Sequence, residues 1–504
     1  MIVPYHLLQV SGSIVFAAQG TDILSFNSSL EHLSTWKYPV KATETPSEAV
    51  ADAEASATLE APPTPEGPPA KRRRTENDEK EVQTGDAAAP SSTNGQKKGR
   101  FHHKPQPVNL SNEKPFINCL LTTANGSHVI AATGSDKTIW VFEHDGSGNL
   151  KQLSQRAMPK RPCSLTLTTD QKTILSADKF GDVYALPLIP SAEPSLPPTV
   201  QSLPSRSATP ASVPVPFKPQ ANDKTVHTKR NLKALENQKI SMKLSLKAAA
   251  EKSADETQPA FEHTLLLGHV SMLTAITVAP GIGATGEQRE WIITADRDEH
   301  VRVSRGIPQA YFIEGFCLGH EDFVSRLCVI PSRPELLISG GGDDDIFLWK
   351  WKDQQLLSRA NILDQVKHAV EPEPTKVAVS RLKAFALVSG ETMVAVICEK
   401  IPAVVLFNLV ENTLQHIVTY TLKDEGVPLD VEMLSNDKLV VSIDTTEGVG
   451  PNAGPFLVLT RDDPEVWDQK PIVDVPAGET ELNAHDLQKL LYTTESLRKM
   501  SDFD

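Results

Sequence analysis

A short turn motif recurs along this chain between pairs of apolar runs, and it limits the available folds more than any other feature. Three segments share it: AATGSDKTIWVF (131–142), TADRDEHVRVS (294–304) and SGGGDDDIFLW (339–349). In each, an Asp follows a small residue by four positions, and apolar residues then alternate as they do along a strand. A looser copy is SADKFGDVYAL (176–186). The repeat predicts β-propeller blades, because such a unit buries its apolar faces only by stacking on its neighbours.

Two of the copies follow a Leu-Gly-His sequence, which strengthens this prediction. In WD-type blades the histidine bonds the turn Asp, and a Ser or Thr and a Trp complete the network. We predict one full network of His320, Ser339, Asp343 and Trp349, and a second, without its Trp, of His269, Thr294 and Asp298. The other blades carry weaker signals, so the chain length sets their number. The predicted fold is all-β: a seven-bladed WD40-type propeller.

Composition divides the 504 residues into folded and unfolded parts. Long polar, Pro-rich stretches with few large apolar residues cannot form a core. We predict propeller strands at 1–43, 113–188 and 260–478, disordered insertions at 44–112 and 189–259, and a C-terminal helix and tail at 479–504. The helix is expected to run from Glu479 to Met500, with Asn483 as its N-cap and its leucines on one face.

Charge and cysteine content exclude several classes of protein. A net charge of −14 argues against a chain that coats nucleic acid by itself. The five cysteines are odd in number, far apart and outside any CxxC, so we predict reduced structural thiols and no metal site. The first 20 residues lack the basic start of a signal peptide and read as a strand pair. No apolar run is long enough for a membrane helix.

Two basic stretches lie inside the predicted insertions. Lys71, Arg72, Arg73 and Arg74 form a cluster that favours nuclear import over a merely solvated charge run. The segment 224–252 carries eight Lys or Arg residues against two Glu. A basic helix there would contact phosphates, and a mobile loop without a fixed role fits the composition equally well.

No catalytic constellation emerges from the sequence. GIGATG (281–286) matches a nucleotide-binding pattern, but a strand rather than a helix follows it, so it predicts a hairpin loop. His269 and His320 already have structural roles, and the acidic run 343–345 is best explained as a turn cap. Arg302 lies between two valines and faces away from them, near the propeller rim. A guanidinium there suits a partner's carboxylate, although residue pattern alone favours an ordinary surface arginine.

Several segments together resemble one family. They are PKRPCSL (159–165), ADKFGDVYAL (177–186), LLGHVSMLT (266–274), ITADRDEHVRVS (293–304), FCLGHEDFVSRL (316–327) and LLYTTESLRKM (490–500). In this order they resemble the WD-repeat, non-catalytic subunit of the tRNA (guanine-N(7)-)-methyltransferase, in its fungal form. The two insertions match nothing in that family, and Met500 stands where a basic residue is usual.

The resemblance implies a function that composition cannot supply. A separate catalytic subunit would bind S-adenosylmethionine and methylate a guanosine in the variable loop of tRNA. This chain, without a cofactor of its own, would form a heterodimer with that subunit and keep it active, contacting tRNA weakly or indirectly. Partner-facing positions of the family map to Lys179, Asp296, Arg297 and Arg302, with Arg302 paired to an acidic residue. A general nuclear WD-repeat scaffold, such as a ubiquitin-ligase or chromatin adaptor, is the alternative; an enzyme with a site in the propeller channel is a weaker third.

Overall fold

A computed structural model describes residues 1–39, 114–190 and 261–499, with short gaps. The gaps are 284, 423–424, 436, 447–448, 451–452, 464–465, 474 and 477–481. The predicted insertion 44–112 lies wholly outside the described residues, and so does 189–259 except for residues 189 and 190. So do the basic cluster 71–74 and the basic segment 224–252.

Seven antiparallel sheets, each of four consecutive strands, form the described part of the chain. Blades 1 and 2 contain β1 (Leu7–Ser11), β2 (Ile14–Gln19), β3 (Asp22–Phe26), β4 (His32–Trp36), β5 (Ile117–Thr122), β6 (His128–Thr133), β7 (Thr138–His144) and β8 (Leu150–Ala157). Blades 3 and 4 contain β9 (Pro162–Leu167), β10 (Thr173–Asp178), β11 (Asp182–Pro187), β12 (Thr264–Gly268), β13 (Leu273–Ile282), β14 (Gln288–Asp296), β15 (Val301–Arg305) and β16 (Ile313–Cys317). Blade 5 contains β17 (Val324–Ile330), β18 (Arg333–Gly341), β19 (Asp345–Lys350) and β20 (Gln355–Asn361). Blades 6 and 7 contain β21 (Val379–Ala386), β22 (Thr392–Cys398), β23 (Ala403–Val410), β24 (Thr413–Thr421), β25 (Val427–Ser435), β26 (Lys438–Asp444), β27 (Phe456–Asp463) and β28 (Val466–Ile472).

The first strands of the blades form a closed ring. β1, β5, β9, β13, β17, β21 and β25 contact one another in that order, and β25 returns to β1. The prediction of a seven-bladed propeller is therefore confirmed. Seven hydrophobic clusters of the described core lie between the blades, one between each pair of neighbours. Middle strands such as β22 are buried along their whole length because a neighbouring blade covers each face.

The ring closes without a sheet that mixes the two ends of the chain. Blade 1 is built only from β1–β4, and blade 7 only from β25–β28. The seam between them is held by stacking of Tyr5 on Phe456, with ring centroids 4.7 Å apart. The buried carboxylate of Asp430 in β25 accepts a hydrogen bond from the Leu8 amide at 2.8 Å. These contacts join the two ends of the chain without a strand shared between blades 1 and 7.

Four short helices complete the described residues: α1 (Leu363–Lys367), α2 (Ala484–Leu491) and two 3-10 turns, Trp351–Asp353 and Glu495–Leu497. Asn483 caps α2 as predicted, since its side-chain oxygen accepts the Asp486 amide at 2.8 Å. The expectation of one helix over 479–500 is wrong. Tyr492 already leaves the helical conformation, and the amide of Thr494 binds the carboxylate of Glu399 instead of continuing the helix.

Candidate functional site

The turn of blade 3 presents a lysine at one end of the propeller. Asp178 ends β10, and its Oδ1 accepts hydrogen bonds from the amides of Phe180 at 2.7 Å and Asp182 at 3.2 Å. This bond pair fixes the five-residue turn 178–182 and leaves Lys179 exposed at its second position. Desolvation of the ammonium by the surrounding protein, and then the charge of the nearby Arg161, lower the pKa of Lys179. A carboxylate beside Lys179 would stabilise the charged form that these two effects disfavour.

The turn of blade 4 is built in the same way. Oδ1 of Asp296 accepts the amides of Asp298 at 2.9 Å and His300 at 3.1 Å. Burial raises the pKa of Asp296, but the contact with His269 and the His300 amide outweigh it, so the pKa lies below its usual value. The second position holds Arg297, whose Nε donates to the backbone carbonyl of Leu497 at 2.7 Å. The two turns thus present one basic residue each on adjacent blades.

Blade 5 contains the full predicted network, which is confirmed. Nδ1 of His320 lies 2.6 Å from Oδ2 of Asp343, and Nε2 lies 2.6 Å from the hydroxyl of Ser339. Trp349 donates from Nε1 to the same hydroxyl at 2.8 Å. Because an ionised carboxylate only accepts, Nδ1–H donates to Asp343 and the Ser339 hydroxyl donates to Nε2. The bonds therefore run in one direction from Trp349 to Asp343.

In blade 4 the predicted second network is wrong in one member, the aspartate. His269 contacts Thr294 at 2.9 Å, as predicted, but its Nδ1 faces Asp296 at 3.5 Å rather than Asp298. Turn length does not explain the difference, since seven residues separate Thr294 from its partner Arg302 and seven separate Ser339 from its partner Phe347. Blade 4 instead carries an additional carboxylate two positions earlier, because Asp296 stands where blade 5 has Gly341.

Arg302 is buried within the fold rather than displayed on its surface, since only 6% of the residue is exposed. It pairs with Thr294 across the sheet, as Phe347 pairs with Ser339 in blade 5. Its Nε donates to the hydroxyl of Ser304 at 3.0 Å, and its Nη1 donates to the carbonyl of Gly268 at 2.9 Å. The guanidinium is therefore fixed in orientation by two bonds. Among the described residues, none accepts a hydrogen bond from Nη2.

Gly268 and His269 connect the two turns. Gly268 ends β12 and pairs with Asp182 of the blade 3 turn. The amide of His269 donates to the carbonyl of Gly181 at 2.7 Å. Arg302 reaches the same strand end from blade 4. The structure therefore brings together the four residues that the family resemblance mapped, namely Lys179, Asp296, Arg297 and Arg302, although Asp296 is occupied as a turn cap.

Two apolar residues at this junction were missed by the sequence reasoning. Phe180, at the tip of the blade 3 turn, is 68% exposed, and Val270, directly after His269, is fully exposed. Nζ of Lys160 lies 5.2 Å from the centre of the Phe180 ring and forms an ion pair with Asp182 at 2.6 Å. The available signal was a large aromatic residue inside a tight polar turn, where nothing in its own blade can cover it. We name the patch formed by Lys160, Lys179, Phe180, Val270 and Arg297, together with the largely buried Arg302, the junction surface.

The structure also describes the GIGATG segment and the five cysteines. The GIGATG segment is the hairpin that joins β13 to β14, with Ile282 paired to Gln288, as predicted. All five cysteines are free, and burial raises the pKa of their thiols, that of Cys119 to about 12. Within the described ranges, no group of three His, Cys, Asp or Glu side chains is arranged to hold a metal ion. No helix in the described part of the chain is long and apolar enough to cross a membrane.

Comparisons with known proteins found the following similarities. Residues 15–453 match the family model of the tRNA methyltransferase TRM82 WD40 domain. The chain is 38% identical to the tRNA (guanine-N(7)-)-methyltransferase non-catalytic subunit trm82 of Sclerotinia sclerotiorum, over 99% of this chain and 98% of that protein. The protein of the same name from Aspergillus oryzae is 42% identical, over 65% of this chain and 62% of its own length. Among solved structures, that of U3-55K is similar with a TM-score of 0.49 at 12% identity, covering 91% of this chain and 95% of that one.

Proposed function

We propose that this chain, which belongs to the TRM82 family of tRNA (guanine-N(7)-)-methyltransferase non-catalytic subunits, forms a heterodimer with the catalytic subunit and holds it in its active conformation. The junction surface is the contact region in this proposal. Methylation takes place on the partner, at a guanosine of tRNA. The names of the relatives favour this function over a general WD-repeat scaffold.

The orientation of Arg302 is the observation that carries the proposal. Its guanidinium is held by Ser304 and Gly268, so little side-chain entropy is lost when a ligand binds. A carboxylate on the partner would accept from Nη2, and desolvation by the surrounding protein would strengthen that bond. Exposed Phe180 and Val270 supply apolar area beside the charges, and arginine is one of the residues enriched in binding hot spots. The partner that fits is a protein surface with both an apolar and an acidic element.

The proposal assigns S-adenosylmethionine to the catalytic subunit and gives this chain no cofactor. Contact with tRNA is weak or indirect, because the net charge of −14 disfavours a phosphate-binding surface. Stabilisation of the partner would be a population shift, since the propeller binds the active conformation more tightly than the inactive one. We further propose nuclear import through Lys71, Arg72, Arg73 and Arg74, to be tested by the distribution of a fluorescent fusion with these residues changed to alanine.

Reconstitution tests the main proposal. tRNA methylation is measured for this chain alone, for the catalytic subunit alone and for the two co-expressed. We expect activity only, or mainly, in the co-expressed pair, together with a complex of one copy each on gel filtration. A pair that shows neither complex nor enhancement would refute the proposed function.

Paired variants then test the junction surface. Arg302→Gln should weaken the heterodimer by about tenfold or more, because a charge-assisted bond is lost. Arg305→Gln is the matched control: Arg305 lies in the same strand but pairs with Glu314 at 2.8 Å, away from the junction. Equal affinities for the two variants would remove Arg302 from the interface.

A further inference from the structure

The segment 482–499, which we name the C-terminal strap, crosses one end of the propeller from the ring seam to blade 4. Helix α2 packs Leu487 against Val3 beside blade 1. Beyond the helix, Tyr492 donates its hydroxyl to Asp444 of blade 7, and the amide of Thr494 donates to Glu399 of blade 6. The strap therefore meets successive blades at the ends of their second strands, which is the end that carries the junction surface.

Arg498 anchors the strap on blade 5. Its Nη1 forms an ion pair with Asp322 and donates to the carbonyl of Gly342 at 2.9 Å, while Nη2 donates to the carbonyl of Val377 at 2.9 Å. The guanidinium also lies 5.5 Å from the ring centre of Phe323, and 15% of the side chain is exposed. Such a set of bonds joins three separate loops of the propeller to one strap residue. No other residue of the described strap has as many side-chain bonds to the propeller.

The last residues of the strap hold the blade 4 turn. The carbonyl of Leu497 accepts from Nε of Arg297 at 2.7 Å. Nζ of Lys499 lies 3.1 Å from carboxylate oxygens of both Asp298 and Glu299. Glu299 has a φ of +73°, a conformation that costs a non-glycine residue free energy. Each of the three central residues of the turn is thus bound by the strap.

We propose that the C-terminal strap is a positioning element for the 296–300 turn, that Arg498 is its anchoring residue, and that the strap thereby presents Arg297 to the catalytic subunit. The last part rests on the proposed function. The first part concerns this chain alone: when Arg498 is released, the turn loses the Leu497 and Lys499 contacts together. Since the strap contacts neither Lys179 nor Phe180 in the described structure, the blade 3 half of the junction surface should be unaffected.

Hydrogen exchange of the full chain measures the position of the turn directly. In Arg498→Met, we expect the amides of Asp298 and His300 to exchange about tenfold faster or more, because the turn opens more often. Amides of the buried strands β18 and β19 should keep their protection. Arg498→Lys should restore part of the protection, since an ammonium reaches fewer of the three acceptors than a guanidinium. Arg289→Met is the matched control, because Arg289 pairs with Glu287 inside its own hairpin and is remote from the strap.

A milder variant protects the test against misfolding. Lys499→Ala removes only the contacts to Asp298 and Glu299, and the Lys499 side chain is half exposed, so the propeller should fold normally. It should raise exchange in the turn by a smaller factor than Arg498→Met. If exchange in the turn is unchanged in both variants, the strap does not position the turn and the inference is overturned.

Heterodimer affinity, measured on the same variants, separates the two parts. Faster exchange with an affinity several-fold weaker for Arg498→Met supports the whole inference. Faster exchange with unchanged affinity overturns the presentation of Arg297 and leaves the positioning of the turn. Should the wild-type chain form no complex at all, the proposed function fails, and the exchange data still decide whether the strap holds the turn.

Discussion

Arg302 and Ser304 stand in blade 4 at the strand positions that Phe347 and Trp349 occupy in blade 5. In blade 5 the Phe347 ring covers His320 with centroids 4.0 Å apart, and Trp349 bonds Ser339. In blade 4 the smaller Ser304 leaves room, and the Arg302 guanidinium bonds its hydroxyl at 3.0 Å. In blade 5 this pair of positions therefore serves packing. In blade 4 it orients the positive charge of Arg302 towards Gly268 of blade 3.

The first prediction concerns the geometry of Arg302. Arg302→Lys keeps the positive charge but cannot bond Ser304 and Gly268 together, because a lysine has one nitrogen in place of a planar fork. The free energy of unfolding should fall by about 1 to 3 kcal/mol, measured by urea denaturation. Arg305→Lys, at the more exposed end of the same strand, should change it by less than about 0.5 kcal/mol. Equal losses in the two variants would show that the buried bonds of Arg302 add no stability.

The second prediction distinguishes the two aspartates of the blade 4 turn. Asp296→Ala leaves the amides of Asp298 and His300 without their acceptor, so it should destabilise the fold by about 2 to 4 kcal/mol. Asp298→Ala loses one exposed ion pair with Lys499 and should cost about 0.5 kcal/mol or less. Thermal and urea unfolding of both variants give the comparison. A larger loss for Asp298→Ala would restore Asp298 as the network residue.

The third prediction is a pH dependence that originates at His6. Burial, together with the nearby Arg381, lowers the pKa of His6 to about 4, although the bond to the Ile117 carbonyl and the charge of Asp430 act in the opposite direction. The unfolded chain therefore takes up this proton first, near the ordinary pKa of about 6.5. Above about pH 6.5, His6 therefore does not reduce the free energy of unfolding. As the pH falls from about 6.5 towards 4, the free energy of unfolding decreases progressively, by an amount on the order of 3 kcal/mol.

His6→Gln isolates that contribution. The glutamine amide can still donate to the Ile117 carbonyl, which accepts from Nε2 of His6 at 2.7 Å, but it does not titrate. The slope of unfolding free energy against pH between 6.5 and 4 should therefore be smaller in the variant. His485→Gln, at an exposed position, is the control for the effect of replacing a histidine by glutamine. Identical slopes for wild type and His6→Gln would exclude His6 as the source.

The fourth prediction concerns Gly181 in the blade 3 turn. Its φ is +101°, and a Cβ atom added there would lie 2.4 Å from the carbonyl oxygen of His269. Gly181→Ala should therefore displace the contact between the blade 3 turn and His269 and cost about 2 kcal/mol or more. Gly390→Ala is the control, since Gly390 has a φ of +86° but nothing within 4 Å of the added Cβ. The difference between the stability losses of Gly181→Ala and Gly390→Ala measures the cost of the steric clash. Equal losses would mean that the contact with His269 shifts to accommodate the added Cβ without cost.

The propeller was predictable because its signals are local. An Asp turn between two alternating strands is encoded within a dozen residues, as in 339–349, and its repetition specifies stacked blades. The full blade 5 network was predictable for the same reason, since His320, Ser339, Asp343 and Trp349 all lie in one repeat. Alignment at the small residue failed in blade 4 because the turn there carries two aspartates, and His269 faces the earlier one, Asp296, whose equivalent in blade 5 is Gly341.

The sequence by itself determined the fold class, the basic residues of the two turns and, through its family resemblance, the kind of partner. Only the tertiary structure decided that Arg302 is buried and oriented by Gly268, that Phe180 and Val270 lie beside it, and that the strap reaches the blade 4 turn. These relationships join residues far apart in the chain, such as Arg297 and Leu497. Periodicity reports the environment of neighbours in sequence, whereas such contacts depend on how the blades are placed around the ring.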